Sequence, residues 1–222
     1  LLHNTKGIII RSVNYGETSL ILSIFTELFG LQQYIVNGVR TSKRSSGFSA
    51  SQMQVGNMLD MVVYQNQKNT LQRIKECKQY IHYSSLFGNV TKNSVMLFLI
   101  EVLQKALKQP DPQPELFYFI EDVMKGLDDA TPYQTANIPL FFMLHLSHFF
   151  GFRMMDNFSD KENILDLHEG QFVAEMPIHQ MVVLPPQSEC IAQLLRVMQL
   201  EELEQVKMNR QLRNDLLDAC LQ

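Results

Sequence analysis

The residues best suited to chemistry in this 222-residue chain are cationic, and they gather in its N-terminal third. Arg40, Lys43 and Arg44 fall in a polar, serine-rich run at residues 40–47 that has no apolar anchor and is expected to be a loop. Long cationic side chains on a loop can follow a phosphate backbone, and each phosphate they neutralise releases counterions. Arg73 and Lys75 alternate in a short strand-like run, so the two-residue period places them on one face, with Lys78 beyond them. Arg11 and Lys68 add charge from neighbouring segments. Tyr15, Tyr34, Phe48 and Tyr64 are aromatic faces among these cations, with Phe48 and Tyr34 the foremost candidates for base stacking. A basic groove with aromatic platforms is how small barrels hold single strands without reading sequence. Phe25 and Phe29 read as core instead, and Phe48 reads equally well as the anchor of its loop.

Other chemistries find little support. The chain has neither common phosphate-binding glycine loop, no nucleophile elbow and no paired-histidine metalloprotease motif. His145 and His148 stand three apart on one predicted helix face, but a zinc site needs three or four ligands. Their neighbours Phe141, Phe142, Leu144 and Phe149 make them two histidines at the margin of a core. Cys77 with His82 reads as coincidence rather than a thiolate pair, and Glu201, Glu202 and Glu204 as a solvated connection. No catalytic residue, metal ligand or cofactor is expected, and nothing makes a case for an enzyme.

The cations must be held by the elements around them. Residues 1–80 carry nine Lys/Arg against four Asp/Glu, a net of +5; residues 81–222 carry ten against nineteen, a net of −9. The formal −4 of the whole chain therefore joins a basic block to an acidic one, which suggests two modules with different partners. Hydrophobic residues at 45% and charged ones at 19% are globular rather than disordered proportions. No apolar run approaches the length needed to span a bilayer, and residues 1–6 do not read as a secretory signal. Three widely spaced cysteines suit a reducing cytoplasm better than a disulfide framework.

Residues 1–80 read as five strands: 7–13, 20–25, 31–36, 58–64 and 71–77, bounded by Gly16, Gly30, Gly38 and polar clusters. Five short strands in this length predict a small closed barrel or a sandwich, closure having the merit of removing exposed edges. From about residue 81 the pattern becomes helical. The run 95–103 is apolar nearly all round and predicts a helix buried within a bundle. Pro110, Pro112 and Pro114 separate it from a helix carrying Leu116, Phe119, Ile120, Val123 and Leu127. A further helix is expected from about Asn137 to Phe150, with Pro139 in its first turn and Gly151 as its stop. Residues 152–187 lose the pattern; 164–167 and 171–174 flank His168-Glu169-Gly170 as a short hairpin. Ile191, Leu194, Leu195 and Met198 mark one amphipathic helix, and Leu212, Leu216 and Cys220 the last.

Several of these features together resemble the bacterial recombination mediator family RecO. They are Lys6-Gly7-Ile8-Ile9-Ile10-Arg11, Tyr15-Gly16-Glu17, the run from Leu20 to Thr26 with Gly30 four residues on, and Gly38-Val39-Arg40 before a basic, serine-rich loop. Pro114-Glu115-Leu116-Phe117 and Gly151-Phe152 fit the same pattern, and the order of modules agrees over almost the whole chain. The resemblance implies an α+β multidomain protein: a five-stranded OB-fold barrel at 1–80, then an α-helical bundle at 81–222 with a small β-hairpin insert at about 152–187. It implies binding of single- and double-stranded DNA, annealing of complementary strands, and work with RecR and single-stranded DNA-binding protein in loading RecA. A cytoplasmic, nucleoid-associated protein with no membrane partner is expected. Many members carry two Cys-x-x-Cys pairs in the insert; residues 152–176 here contain no cysteine, so zinc is not expected.

On this reading the DNA contacts are Arg11, Arg40, Lys43, Arg44, Lys68, Arg73 and Lys75. The acidic-hydrophobic tail of single-stranded DNA-binding protein would suit an apolar groove rimmed by cations, for which Lys92, Lys105 and Lys108 are candidates. The alternatives are a protein-interaction adaptor whose barrel binds no nucleic acid, and an RNA-binding barrel protein.

Overall fold

The computed structural model describes residues 1–39, 49–66 and 70–221. Five strands, β1 (Leu2–Tyr15), β2 (Ser19–Thr26), β3 (Gly30–Val36), β4 (Met58–Tyr64) and β5 (Leu71–Gln79), close into a barrel in the order β1-β2-β3-β5-β4. All neighbours are antiparallel except the parallel pair β3–β5. Alternate residues point inward: Leu20, Leu22 and Ile24 from β2, Tyr34 and Val36 from β3, and Leu59, Met61 and Val63 from β4 fill one core. The odd residues of β2 face outward, and the barrel is the OB-like one expected from sequence.

Two bulges adjust this pattern. One lies in β1 between Ile9 and Arg11; the other lies in β5, where Val62 pairs with Glu76 but Val63 with Ile74. The extra residue is Lys75. It explains why Ile74 and Cys77, three apart, both pack against the core, and it turns Glu76 and Lys78 outward beside Arg73.

By contacts the chain forms two compact units, 1–125 and 126–222. Strands give way to helices near residue 80, but α1 (Val90–Ala106) and most of α2 (Pro114–Asp129) pack with the barrel. The expectation for α1 needs correction. It is not buried all round: Val90 and Leu97 are exposed, and one face carrying Met96, Leu99, Ile100 and Leu103 is buried. On this side Met96 lies against Gly56, and Gln104 donates to the Ile10 carbonyl at 2.8 Å. α2 lays Phe117 on Phe25, whose ring is fully buried on the outer side of β2. Gly30 (φ +61°) sits where any side chain would overlap the Asp111 backbone, so the α1–α2 connection lies directly on the β2–β3 turn.

The second unit is built on α3 (Pro132–Phe149), packed by α4 (Gln187–Arg196), the 3-10 turn Leu200–Glu204 and α5 (Arg210–Leu221). α3 begins earlier than expected: Thr131 and Gln134 form a reciprocal capping box with Pro132 in the first turn, leaving Pro139 inside the helix. Ile138, Leu140, Phe142 and Leu146 are buried around that proline, and their burial offsets its missing hydrogen bond. α4 ends at Arg196, before Met198, which is 81% exposed rather than on a buried stripe. The insert forms β6 (Ile164–Asp166), β7 (Gln171–Val173) and β8 (Val182–Val183) as one small sheet, β7-β6-β8.

Candidate nucleic-acid interface

Within the first unit, α1 and α2 cover only part of the barrel. Ser23 of β2, Gln33 of β3 and Leu71 of β5 continue the outward register row of Arg11 around the barrel. A parallel row contains Val13, Ile21, Ile35, Arg73, Tyr64 and Leu2. Arg11, Arg73 and Lys75 are all exposed. Arg11 is on β1 and Arg73 on β5, in outward rows two residues apart. Among the described residues neither forms an ion pair or a hydrogen bond, whereas Lys75 pairs with Glu76 (3.1 Å) and Lys78 with Asp60 (3.3 Å), all four groups solvated. The two arginines thus keep their full charge for an external anion.

Arg40, Lys43, Arg44 and Phe48 lie outside the described residues, as does Lys68. The flanks of the first group are informative. Val39 is 6% exposed and Met53 1%, both inside the barrel core cluster. Asn57 ties the returning strand down, donating to the carbonyls of Ser51 and Gln52.

Tyr34 requires correction as a stacking candidate. It is fully buried in the barrel core, with Gln33 and Ile35 pointing the other way. Its hydroxyl finds no partner among the described residues, and burial pushes its pKa upward. Among the described residues the exposed aromatics of the barrel are Tyr15 and Tyr64. Lys92 is also misplaced as a rim cation: it is buried and donates to Ser85 Oγ at 2.9 Å. Lys105 and Lys108 are exposed, Lys105 pairing with Glu101 one turn back.

One basic residue of the barrel is committed elsewhere. Lys6 approaches the buried carboxylate of Glu121 on α2 (3.7 Å), to which Tyr80 donates (2.7 Å) and with which Lys125 forms an ion pair. Burial alone would raise the Glu121 pKa, but hydrogen bonds from Lys125 and Tyr80 and the charges of Lys125 and Lys6 outweigh it and leave it below the ordinary value. The Lys6 ammonium also lies 4.9 Å from the Tyr80 ring centroid. Sequence alone gave no sign of this cluster, whose members come from β1, the segment after β5, and α2.

The remaining chemical candidates are structural. Cys77 is packed against the barrel core and burial pushes its thiol up to about 11. Burial holds His145 below its ordinary value, with Phe141 stacked at 4.3 Å. Among the described residues no group of three His, Cys, Asp or Glu side chains could hold a metal ion. The insert is organised differently. Asn157 brackets the Phe172 backbone with two hydrogen bonds of 2.8 Å, Phe158 meets Phe172 edge-on, and buried Asp166 accepts from the amides of His168 and Glu169. These residues do not fit a cysteine-ligated zinc.

A closed OB-like barrel followed by a helical unit defines the class of protein: a two-unit α+β protein with an N-terminal OB-like barrel. The comparisons identify the family. Residues 1–81 match the model for the recombination protein O N terminal region and residues 88–222 that for its C terminal region, so the chain belongs to the RecO family of DNA repair proteins. It is 29% identical over 222 residues to the DNA repair protein RecO of Azobacteroides pseudotrichonymphae, covering 100% of this chain and 90% of that one. It is 28% identical over 221 residues to that of Christiangramia forsetii, with the same coverage. The RecO of Phocaeicola vulgatus is 28% identical over 219 residues, 98% of this chain and 88% of its own. Among the described residues no helix is long and apolar enough to cross a membrane.

Proposed function

We propose that this chain binds single- and double-stranded DNA through the outer face of its barrel together with the basic residues of the segment 40–47. The observation that carries this reading is that Arg11 and Arg73 are both exposed and, among the described residues, without carboxylate partners, in a chain of net charge −4. Lys75 lies two residues from Arg73 on β5, and Arg40, Lys43, Arg44 and Lys68, outside the described residues, belong to the same proposal. Neutralising phosphates on two strands lowers their mutual repulsion and lets complementary sequences pair, which is the annealing function. Loading RecA on single-stranded DNA with RecR and single-stranded DNA-binding protein, in the cytoplasm and at the nucleoid, completes the reading; it rests on family membership. Lys105 and Lys108 are the remaining cations proposed for the tail of single-stranded DNA-binding protein.

A gel-shift series with single-stranded DNA, duplex DNA and RNA at two salt concentrations tests the proposal. Binding to both DNA forms, weakened steeply by salt and with little sequence preference, is expected. No shift would point to a protein adaptor, and a clear preference for RNA to a site that uses the 2′-hydroxyl. Either result would overturn the proposal.

A further inference from the structure

The direction in which Arg11 points is decided by the bulge that precedes it. Ile9 lies opposite Ile24 and faces the barrel core, whereas Arg11 lies opposite Ser23 on the outer face. Strict alternation from Ile9 would turn Ile10 outward and Arg11 inward, opposite Leu22, where a guanidinium would be buried without a partner. The extra residue, Ile10, shifts the register by one and brings Arg11 out. The aim of this cation is therefore only as secure as the bulge.

The sheet itself supplies few fastenings there. The β1–β4 register covers residues 2–8 of β1; next, the Ile9 amide donates to the Asn57 carbonyl and the Gly56 amide donates to the Ile9 carbonyl. Among the described residues Ile10 has no register partner on either neighbouring strand, and residues 11–15 have theirs on β2 alone. The Ile10 carbonyl is instead met by a side chain from 94 residues away: Gln104 Nε2 of α1 donates to it at 2.8 Å. The seat of α1 holds that amide over the bulge. About two turns earlier on the helix, Met96 lies so close to Gly56 that any side chain there would overlap its sulfur. α1 thus reaches the bulge through Gln104 and, through Met96, the segment that pairs with Ile9.

We propose that Gln104 is a positioning residue for DNA binding: by holding the Ile10 carbonyl it keeps the β1 bulge in place and Arg11 directed at a phosphate. The inference rests on the nucleic-acid reading above and adds to it a neutral side chain outside the barrel. Without the amide, the bulge carbonyl turns to water and the backbone before Arg11 is less fixed. Order missing before binding must then be created on binding, which weakens the contact without removing the charge. Arg73 is paired with Tyr64 and Ile35, and its register does not involve Ile10. The effect is therefore confined to Arg11.

The test is a double-mutant cycle on the affinity of the full chain for a labelled duplex DNA, read by fluorescence anisotropy at low salt. Gln104→Met keeps the length and helix preference of the side chain and removes the donor. It should weaken binding about 3–5-fold, within what one hydrogen bond of ordinary net strength can transmit. In an Arg11→Ala background the same substitution should cost less than about 1.5-fold more. In an Arg73→Ala background its loss should be retained in full. Wild-type affinity for Gln104→Met would overturn the inference. So would a full loss beside Arg11→Ala, the mark of a merely structural effect, or a loss that disappears beside Arg73→Ala. An Arg11→Ala chain that binds duplex as the wild type does would instead refute the nucleic-acid reading of Arg11 itself, and the inference with it.

Discussion

Replacing Glu121 by alanine removes the acceptor on which Tyr80, Lys125 and Lys6 converge. The Glu121 side chain is 7% exposed, while Lys6 and Lys125 are 37% and 47% exposed. The two ammonium groups can therefore rehydrate when the carboxylate is lost, and each pair is worth about 0.5–1 kcal/mol. The Tyr80 hydroxyl is part-buried and keeps only the Met58 sulfur, a weak acceptor at 3.4 Å; losing the carboxylate costs it about 1–3 kcal/mol. Together these predict a loss of about 2–5 kcal/mol for Glu121→Ala. Glu121→Gln keeps an acceptor for Tyr80 and should cost less. The pH dependence has a definite sign. The folded pKa is lowered, so the carboxylate's contribution is complete above its ordinary value of 4.5 and is lost as pH falls through the lowered value. The stability gap between wild type and Glu121→Gln should therefore narrow on acidification from neutral pH. Hydrogen-exchange mass spectrometry of peptides from β1 and α2 is the suitable assay, since a chain of two units need not unfold in one step. A loss below about 1 kcal/mol in Glu121→Ala, or a gap independent of pH, would refute the reasoning.

Two further substitutions probe the barrel. Tyr34→Phe removes a buried hydroxyl that has no partner among the described residues; it should raise stability by about 1 kcal/mol and leave DNA affinity unchanged. A loss of single-strand affinity in that variant would return Tyr34 to the surface. Gly30→Ala forces a side chain into a left-handed conformation (φ +61°) and against the Asp111 backbone; thermal melting should show a cost of about 2 kcal/mol or more. Wild-type stability there would mean that the α1–α2 connection does not lie on the β2–β3 turn.

The legible parts of this protein were those governed by local pattern. Alternation and glycine punctuation mark all five barrel strands, and the basic bias of residues 1–80 points to their outer face. Pattern failed where an irregularity or a distant partner decides. Tyr34 looked available because aromatic type alone does not tell inward from outward; the pairing of Ile35 with Arg73 and of Tyr34 with Gln72 settles it. Arg73 and Lys75 are both exposed, but the bulge at Lys75, invisible in the sequence, turns Glu76 and Lys78 to the same side. Lys6 reads as one more free cation until α2 brings Glu121 to it across more than a hundred residues. Leu97 suggested a helix buried all round because composition overrode the question of what lies on each side. The insert shows the converse: without cysteines its hairpin at 164–174 was legible but not its fastenings, the hydrogen bonds that Asn157 and Asp166 accept from the backbone.

The central claim is that outward cations of the barrel contact DNA phosphates, and salt dependence measures that most directly. The logarithm of the binding constant for duplex DNA should be followed against the logarithm of salt concentration. Wild type is to be compared with the combined variant Arg11→Ala, Arg73→Ala, Lys75→Ala, all surface substitutions. The account predicts weaker binding and a slope shallower by about 2–3, close to one for each phosphate contact removed. An unchanged slope and affinity in the triple variant would contradict it.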